Sequence, residues 1–270
     1  MSDKVLILGC GPAGVFAAWA AERAGYEVRI VSKRRRSYMF GAQYLHWPLP
    51  GIETEDRWIR YELVGTPKGY RNRVYGGLSD VDTSVDLYEG IARVWDIRSA
   101  YNQLYSKFED RIDDSPGLDG PIMRLAMARD GFANQYDFIF NTIPLSRLCE
   151  KPAKHMFRSQ RIWALGDAPE MEQKLKTNCP PDTVLCNGRS TNSLGKWYRI
   201  SNIFGYQTIE WPSWYYPGRN AAEVLKPISN NCDCHPEIVR LGRYGKWTKG
   251  ELSHEAFIDV SNILGVSDGR

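Results

Sequence analysis

The chain has 270 residues, 43% of them hydrophobic and 25% charged, a balance that fits one large globular domain or two small ones and excludes a disordered or fibrous protein. Its 35 basic and 32 acidic residues leave a formal charge of +3, too small by itself to mark a nucleic-acid binder. With no long apolar run and no charged, apolar leader, a cytoplasmic protein without a membrane partner is expected, its 6 cysteines reduced.

Val5-Leu6-Ile7-Leu8 is an apolar strand that runs into Gly9-Cys10-Gly11-Pro12-Ala13-Gly14. In a pyrophosphate-binding turn each glycine has a physical role. Gly9 permits the sharp exit from the strand, Gly11 lets the backbone approach the phosphates, and Gly14 lets the next helix pack closely on the sheet. Val15 to Ala24 reads as an alanine-rich helix whose N-terminal amides and dipole face the anion, Gly25 closes it, and Tyr26 to Val31 is a second strand. This order predicts a dinucleotide-binding unit over residues 1–32, with Gly9, Gly11, Pro12, Ala13 and Gly14 at the cofactor.

The residue that ends the second strand ordinarily carries a carboxylate for the ribose hydroxyls, and here it is Ser32. The run Lys33-Arg34-Arg35-Arg36 after it suits the 2′-phosphate of NADP, or else is a solvated loop beside a Ser32 that makes one hydrogen bond to the ribose. The Gly-Pro-Ala-Gly form of the turn resembles flavoproteins and favours FAD, with NADP as the alternative; Ser32, Lys33 and Arg34 belong to the cofactor site either way. Ser37 to Pro50 is an aromatic-rich loop with Gly41 and Ala42 in its middle. Its polar members Gln43, Tyr44 and His46 are the catalytic candidates, although a single histidine is more often a structural residue.

Trp58 to Tyr75 reads as a hairpin turning at Thr66-Pro67-Lys68-Gly69. Val94 to Ile112 has the three-and-four spacing of an amphipathic helix; its aromatic face is mainly core, with Tyr101 and Tyr105 as candidate borders of a substrate pocket. The nearly all-apolar strand Tyr136 to Pro144 belongs beside the first strand in a parallel sheet, which puts Thr142 and Pro144 at the carboxyl edge where ligands bind. Arg161 to Leu165 is a further strand, followed by Gly166-Asp167.

Asp182 to Trp214 is β-rich, with Arg199 and Glu210 on neighbouring strands as a plain ion pair or as a clamp for a substrate carboxylate or phosphate. Cys232-Asp233-Cys234-His235, with Cys179 and Cys186 upstream, has the ligand types of a zinc site. The spacing is poor, since Cys-x-Cys is tight for one tetrahedral ion and the upstream pair is too widely separated, so no metal is expected. Ile238 to Arg243 reads as a strand, followed by a glycine and aromatic loop and a helix between Lys249 and Val260.

Three segments, Gly9-Cys10-Gly11-Pro12-Ala13-Gly14, Tyr136 to Pro144 and Leu241-Gly242-Arg243-Tyr244-Gly245-Lys246-Trp247 with its following helix, together resemble the FAD-binding amine-oxidase and UDP-galactopyranose-mutase class of flavoproteins. The resemblance implies an α/β fold. A Rossmann-like FAD-binding domain with a parallel sheet would be assembled from residues 1–50, 130–170 and 236–270, with a β-rich and helical substrate region inserted as 51–129 and 171–235. It also implies that the loop holding Gly41, Ala42 and Gln43 passes beside the flavin ring, that Gly242 and Arg243 lie along the pyrophosphate or ribityl chain, and that Gly250, Glu251 and Leu252 face the pyrimidine edge. Gly166-Asp167 is similar to a pair that contacts the ribityl chain in flavoproteins, although it lies too far ahead of the terminal helix for that role.

The function so implied is FAD-dependent oxidation of an amine or amino-acid-like group on a small-molecule or nucleotide-linked substrate. A mutase-like reaction on a nucleotide sugar, with Arg199 and Arg243 on the diphosphate, and a dinucleotide-binding module without turnover are the alternatives. Small flavoproteins of similar appearance occur in bacteriophages, some of which modify their DNA bases, which extends the substrate class to nucleic acid.

Overall fold

The computed structural model describes residues 3–32, 39–41, 43–76, 78, 90–114, 135–165, 178–189, 195–218 and 221–266. Of the expected site residues, Lys33, Arg34, Ala42 and Asp167 lie outside the described residues.

The N-terminal unit forms as the glycines require. Strand β1 (Lys4–Leu8) leads into helix α1 (Pro12–Arg23), and Gly25, at φ +86°, turns the chain into β2 (Glu27–Ser32). These strands pair in parallel with each other and with β5 (Ile112–Asp114), β6 (Phe138–Asn141) and β12 (Val239–Arg240), in the order β12-β6-β1-β2-β5. Val5, Leu6, Ile7 and Leu8 are buried because β1 is central and both faces are covered, the situation that demands a continuous apolar run. Alanines at 17, 18, 20 and 21 let α1 lie close to the sheet, and Phe16 fills the space between them.

A second sheet of seven strands is built from β3 (Asp56–Gly65), β4 (Gly90–Trp95), β7 (Phe157–Leu165), β8 (Thr183–Gly188), β9 (Arg199–Ile203), β10 (Tyr206–Pro212) and β11 (Ala222–Asn230). Its order is β11-β7-β10-β9-β8-β3-β4, antiparallel except where β3 runs beside β8. The fold is thus α/β, a Rossmann-like parallel sheet joined to a β-rich region, as the sequence predicts.

Local departures have physical causes. Residues Pro67–Tyr75 form helix α2 in place of the second arm of a hairpin. Thr66 caps it by accepting from the Gly69 amide, Pro67 starts it, and Gly76 ends it in the left-handed conformation, so cap chemistry outweighs the β-propensity of its tyrosines. Helix α3 begins at Ile97 and not at Val94, because the Asp96 side chain accepts from the Arg98 amide; α3 spans Ile97–Phe108 and Val94 stays on β4. Arg161 to Leu165 extends β7 of the second sheet. A short helix α4 (Leu145–Leu148) follows β6. Gly242-Arg243 does not end a strand, since β12 stops at Arg240 and residues Gly242–Lys246 wind into α5; the last helix, α6 (Glu255–Ile263), starts later than expected.

Candidate functional site

The carboxyl edge of the parallel sheet is assembled by glycines that no larger residue can replace. Gly9 has φ +103°, and a Cβ there would stand 2.6 Å from Thr142 Oγ1; a Cβ on Gly14 would stand 1.9 Å from the Gly9 carbonyl oxygen. The turn out of β1 and the first turn of α1 are therefore in backbone contact, as the fingerprint requires. Gly11 occupies the N-cap with no side chain to cap it, and Pro12 opens the helix, so the amides of the first turn take no capping side chain. Thr142 donates from Oγ1 to the Leu8 carbonyl at 2.8 Å, which locks the end of β6 over the same turn. Pro144 caps α4 just beyond.

The C-terminal segment closes onto this edge. The Leu241 amide donates to the Asn141 carbonyl at 2.8 Å. A Cβ on Gly242, which has φ +63°, would meet the Ala13 methyl at 2.9 Å, and one on Gly245 would lie 2.1 Å from the Asn141 oxygen. Helix α5 thus rests against both the glycine turn and the end of β6, so Gly9, Ala13, Gly14, Thr142 and Gly242 come together from three distant stretches of chain. Next to Gly242, Arg243 buries its Nε with no hydrogen-bond partner among the described residues. Such a donor is costly unless something accepts from it. Ser32 ends β2 in register with Asp114 of β5, a carboxylate one strand over from the position where the fingerprint lacks one.

The aromatic loop runs between the two sheets. Arg98, buried at the start of α3, donates to the Gln43 carbonyl at 3.3 Å, while Gln43 Nε2 donates to the Phe40 carbonyl at 2.8 Å. From the other side, Gly41, at φ +80°, lies so close to the Glu210 carboxylate that a Cβ would meet it at 2.8 Å. Tyr44 hydrogen-bonds Tyr61, and burial pushes its phenol up. His46 lies beside Tyr44 and also beside His254, the rings 6.0 Å apart, and burial pushes the His46 imidazole down. His254 is 4% exposed, leaves Nδ1 without a partner among the described residues, and is pushed down to about 4 by burial and then by His46. Both imidazoles are neutral at pH 7. His254 was not singled out in the sequence; its only signal was a histidine beside a helix start.

The expected substrate contacts have protein partners of their own. Tyr101 and Tyr105 lie on the buried face of α3, 1% and 9% exposed, where α3 packs against α1. Tyr101 donates to the Cys10 carbonyl at 3.1 Å and so braces the glycine turn from behind. Arg199 and Glu210 are direct cross-strand partners and form an ion pair. Glu210 also accepts from Tyr198 OH at 2.8 Å and from Lys226 Nζ at 3.2 Å, so its buried carboxylate is engaged by protein partners, the ion-pair reading of the two. Burial alone would raise the Glu210 carboxyl, but Arg199 and Lys226 outweigh it and hold the group down at about 2. Burial pushes the Lys226 ammonium down to about 8 against the pull of Glu210. At the C-terminal end, Gly250 is exposed, Glu251 accepts from Lys246 Nζ at 3.0 Å, and the Leu252 amide donates to Glu255 at the start of α6.

The cysteines also part from expectation. Cys179 donates to the Thr183 carbonyl and Cys186 lies in the core of the second sheet, both apart from Cys232 and Cys234. His235 pairs with Glu150 and Glu237. The residues that do meet Cys232 and Cys234 are Cys149 and His155, brought from a loop remote in sequence.

No protein-family model matches the chain, and no curated protein matches it. Among solved structures the chain is similar to a reduced UDP-galactopyranose mutase, at 12% identity and TM-score 0.55, covering 99% of this chain and 96% of that one. It is similar to a flavin-dependent brominase at 11% identity and TM-score 0.55, covering 100% and 80%, and to a lathipeptide tryptophan 5-halogenase at 12% and 0.53, covering 98% and 66%. At these identities the likeness establishes the fold and leaves the chemistry to the residues.

Proposed function

We propose that the protein is a FAD-dependent oxidoreductase. The observation that carries this reading is the convergence of the glycine turn, the Thr142 end of β6 and the Gly242-Arg243 start of α5 on one sheet edge. The fit of a dinucleotide there is supported by two features: first-turn amides of α1 that no side chain caps, and the buried, unpartnered Arg243 Nε, which suits a phosphate or flavin oxygen. Asp114, in register with Ser32 one strand over, would be the carboxylate nearest the ribose-hydroxyl position that the fingerprint leaves without one. The similarity to a flavin-dependent brominase favours flavin over NADP.

When bound, the flavin supplies the hydride acceptor. The residues of this chain bind and orient. The Gly9-to-Gly14 backbone and Arg243 would hold the phosphates, while Phe40, Gly41 and Gln43, in the loop that Arg98 pins, would wall the ring side. His46, His254 and Tyr44 stay uncharged at neutral pH, since burial lowers the imidazoles and raises the phenol. These three neutral groups suit an uncharged amine beside them, and an amine-bearing carbon is the substrate class we assign.

A mutase-like reaction on a nucleotide sugar is the second reading, favoured by near-complete overlap with the UDP-galactopyranose mutase and by the unpartnered Arg243. The absorbance spectrum of the purified protein, with chromatography of the released cofactor, tests the common premise. Flavin bands and released FAD are expected; a colourless protein that binds NADPH and ignores FAD refutes it. Peroxide formation with a primary amine supports oxidation, whereas turnover only after dithionite reduction supports the mutase reading.

A further inference from the structure

Cys149, His155, Cys232 and Cys234 place one ligand atom each within 4.8 Å of one another, outside the dinucleotide edge and using none of its residues. Sγ of Cys149 lies 3.1 Å from His155 Nδ1 and 4.0 Å from Cys234 Sγ, and Cys234 Sγ lies 3.8 Å from His155 Nδ1. Around a tetrahedral zinc ion, with Zn–S about 2.3 Å and Zn–N about 2.0 Å, sulfur atoms stand about 3.8 Å apart and sulfur about 3.5 Å from nitrogen. The two sulfur–nitrogen edges, 3.1 and 3.8 Å, bracket their length, and the Cys149–Cys234 edge of 4.0 Å is slightly longer than its own. A disulfide between Cys149 and Cys234 would need its sulfur atoms at about 2.05 Å, half the distance seen.

The surroundings are those of a metal-binding histidine and two fixed cysteines. His155 turns Nδ1 inward and Nε2 outward, 3.3 Å from the Asp233 carboxylate, the partner that fixes the tautomer and ring orientation of a ligating imidazole. Arg240 donates to the carbonyls of Cys232 and Cys234, both at 2.8 Å, and so clamps the Cys-x-Cys turn with both thiols inward. Leu145 and Trp247 pack around Cys149 and Cys232 and exclude solvent from one side.

We propose that these four residues bind one zinc(II) ion as a closed, structural site. Three thiols and a neutral imidazole complete four-coordination; on binding, three thiol protons leave to solvent and nothing is oxidised. Soft thiolates in a tetrahedral array select zinc over magnesium or calcium. Its work follows from the topology. Cys149 and His155 lie on the connection from β6 to β7, and Cys232 and Cys234 on that from β11 to β12, so the ion ties together two of the crossings between the parallel sheet and the second sheet. Trp247, at the end of α5, packs against this cluster, so the same ion steadies the helix that closes on the glycine turn.

The test uses the full chain, made in zinc-containing medium and purified under reducing conditions, with metal measured by inductively coupled plasma mass spectrometry. About one zinc per chain is expected, together with the d–d absorption of thiolate-rich tetrahedral cobalt(II) after exchange, at wavelengths beyond the bands of oxidised flavin. Cys149→Ser and Cys234→Ser should each lose most of the zinc, and Cys179→Ser should keep it. A metal-free parent, zinc retained by the Cys149→Ser, Cys234→Ser double variant, or a Cys149–Cys234 disulfide in the unreduced peptide map overturns the proposal, whatever the cofactor proves to be.

Discussion

Replacing Gly245 by alanine tests whether α5 forms part of the cofactor edge. The new Cβ would stand 2.1 Å from the Asn141 carbonyl oxygen and 3.2 Å from Thr142 Cα, whereas ordinary contact begins at 3.4 Å. The obstacle is backbone, so no rotamer relieves it and α5 must retreat by about 1.3 Å. That motion breaks the 2.8 Å bond from the Leu241 amide to Asn141 and lifts Gly242 from Ala13. Overpacking of about 1–3 kcal/mol and a lost hydrogen bond of about 0.5–1.5 kcal/mol give roughly 2–4 kcal/mol in all. At about 2–4 °C per kcal/mol for a chain of this size, Tm should fall by about 4–16 °C. Because Arg243 moves with the helix, FAD affinity of the surviving folded protein should weaken by about tenfold or more. Gly205→Ala is the control: Gly205 has φ +80° and its Cβ would meet nothing within 4 Å, so the change should cost only the left-handed penalty of about 1–2 kcal/mol and leave FAD affinity alone. Thermal melts and FAD titrations of the three proteins decide the matter. If Gly245→Ala melts within about 1 °C of the parent and binds FAD equally well, α5 does not close on the sheet as argued.

Glu210→Gln removes the carboxylate that pairs with Arg199 and Lys226 in a buried network, and should cost about 3–5 kcal/mol in urea unfolding; a loss under about 1 kcal/mol would mean the site is wetter than its burial indicates. For His254, the folded group sits at about 4 against an ordinary 6.5, so the unfolded chain takes up the proton first; this stability is complete above about pH 6.5 and is lost as pH falls towards 4, up to about 3 kcal/mol. His254→Asn should flatten that part of the stability profile between about pH 7 and pH 4, and a profile identical to the parent's would show that His254 does not titrate there.

Legibility in the sequence followed the range of the interactions involved. The glycine turn was readable because Gly9 and Gly14 answer to local geometry, a positive φ and a helix lying against its own strand. The Arg199–Glu210 pair was readable because both residues sit in one antiparallel pair separated by a short turn. The second arm of the supposed hairpin was misread because Thr66 and Gly76 cap it as a helix, and a tyrosine-rich segment carries both signals. The three-and-four spacing of α3 marked the buried face that carries Tyr101, but not that Tyr101 would reach the Cys10 carbonyl, a contact made across the fold.

By itself, then, the sequence determined the α/β class and the dinucleotide turn, since apolar period and glycine placement act over a few bonds. Only the tertiary structure decided which remote segments meet there. It brought Gly242 onto Ala13, His254 beside His46 and Asp114 beside Ser32, and it drew Cys149 and His155 to Cys232 and Cys234. Those meetings depend on how two sheets and their crossings pack, and spacing along one chain holds no record of distance across a fold.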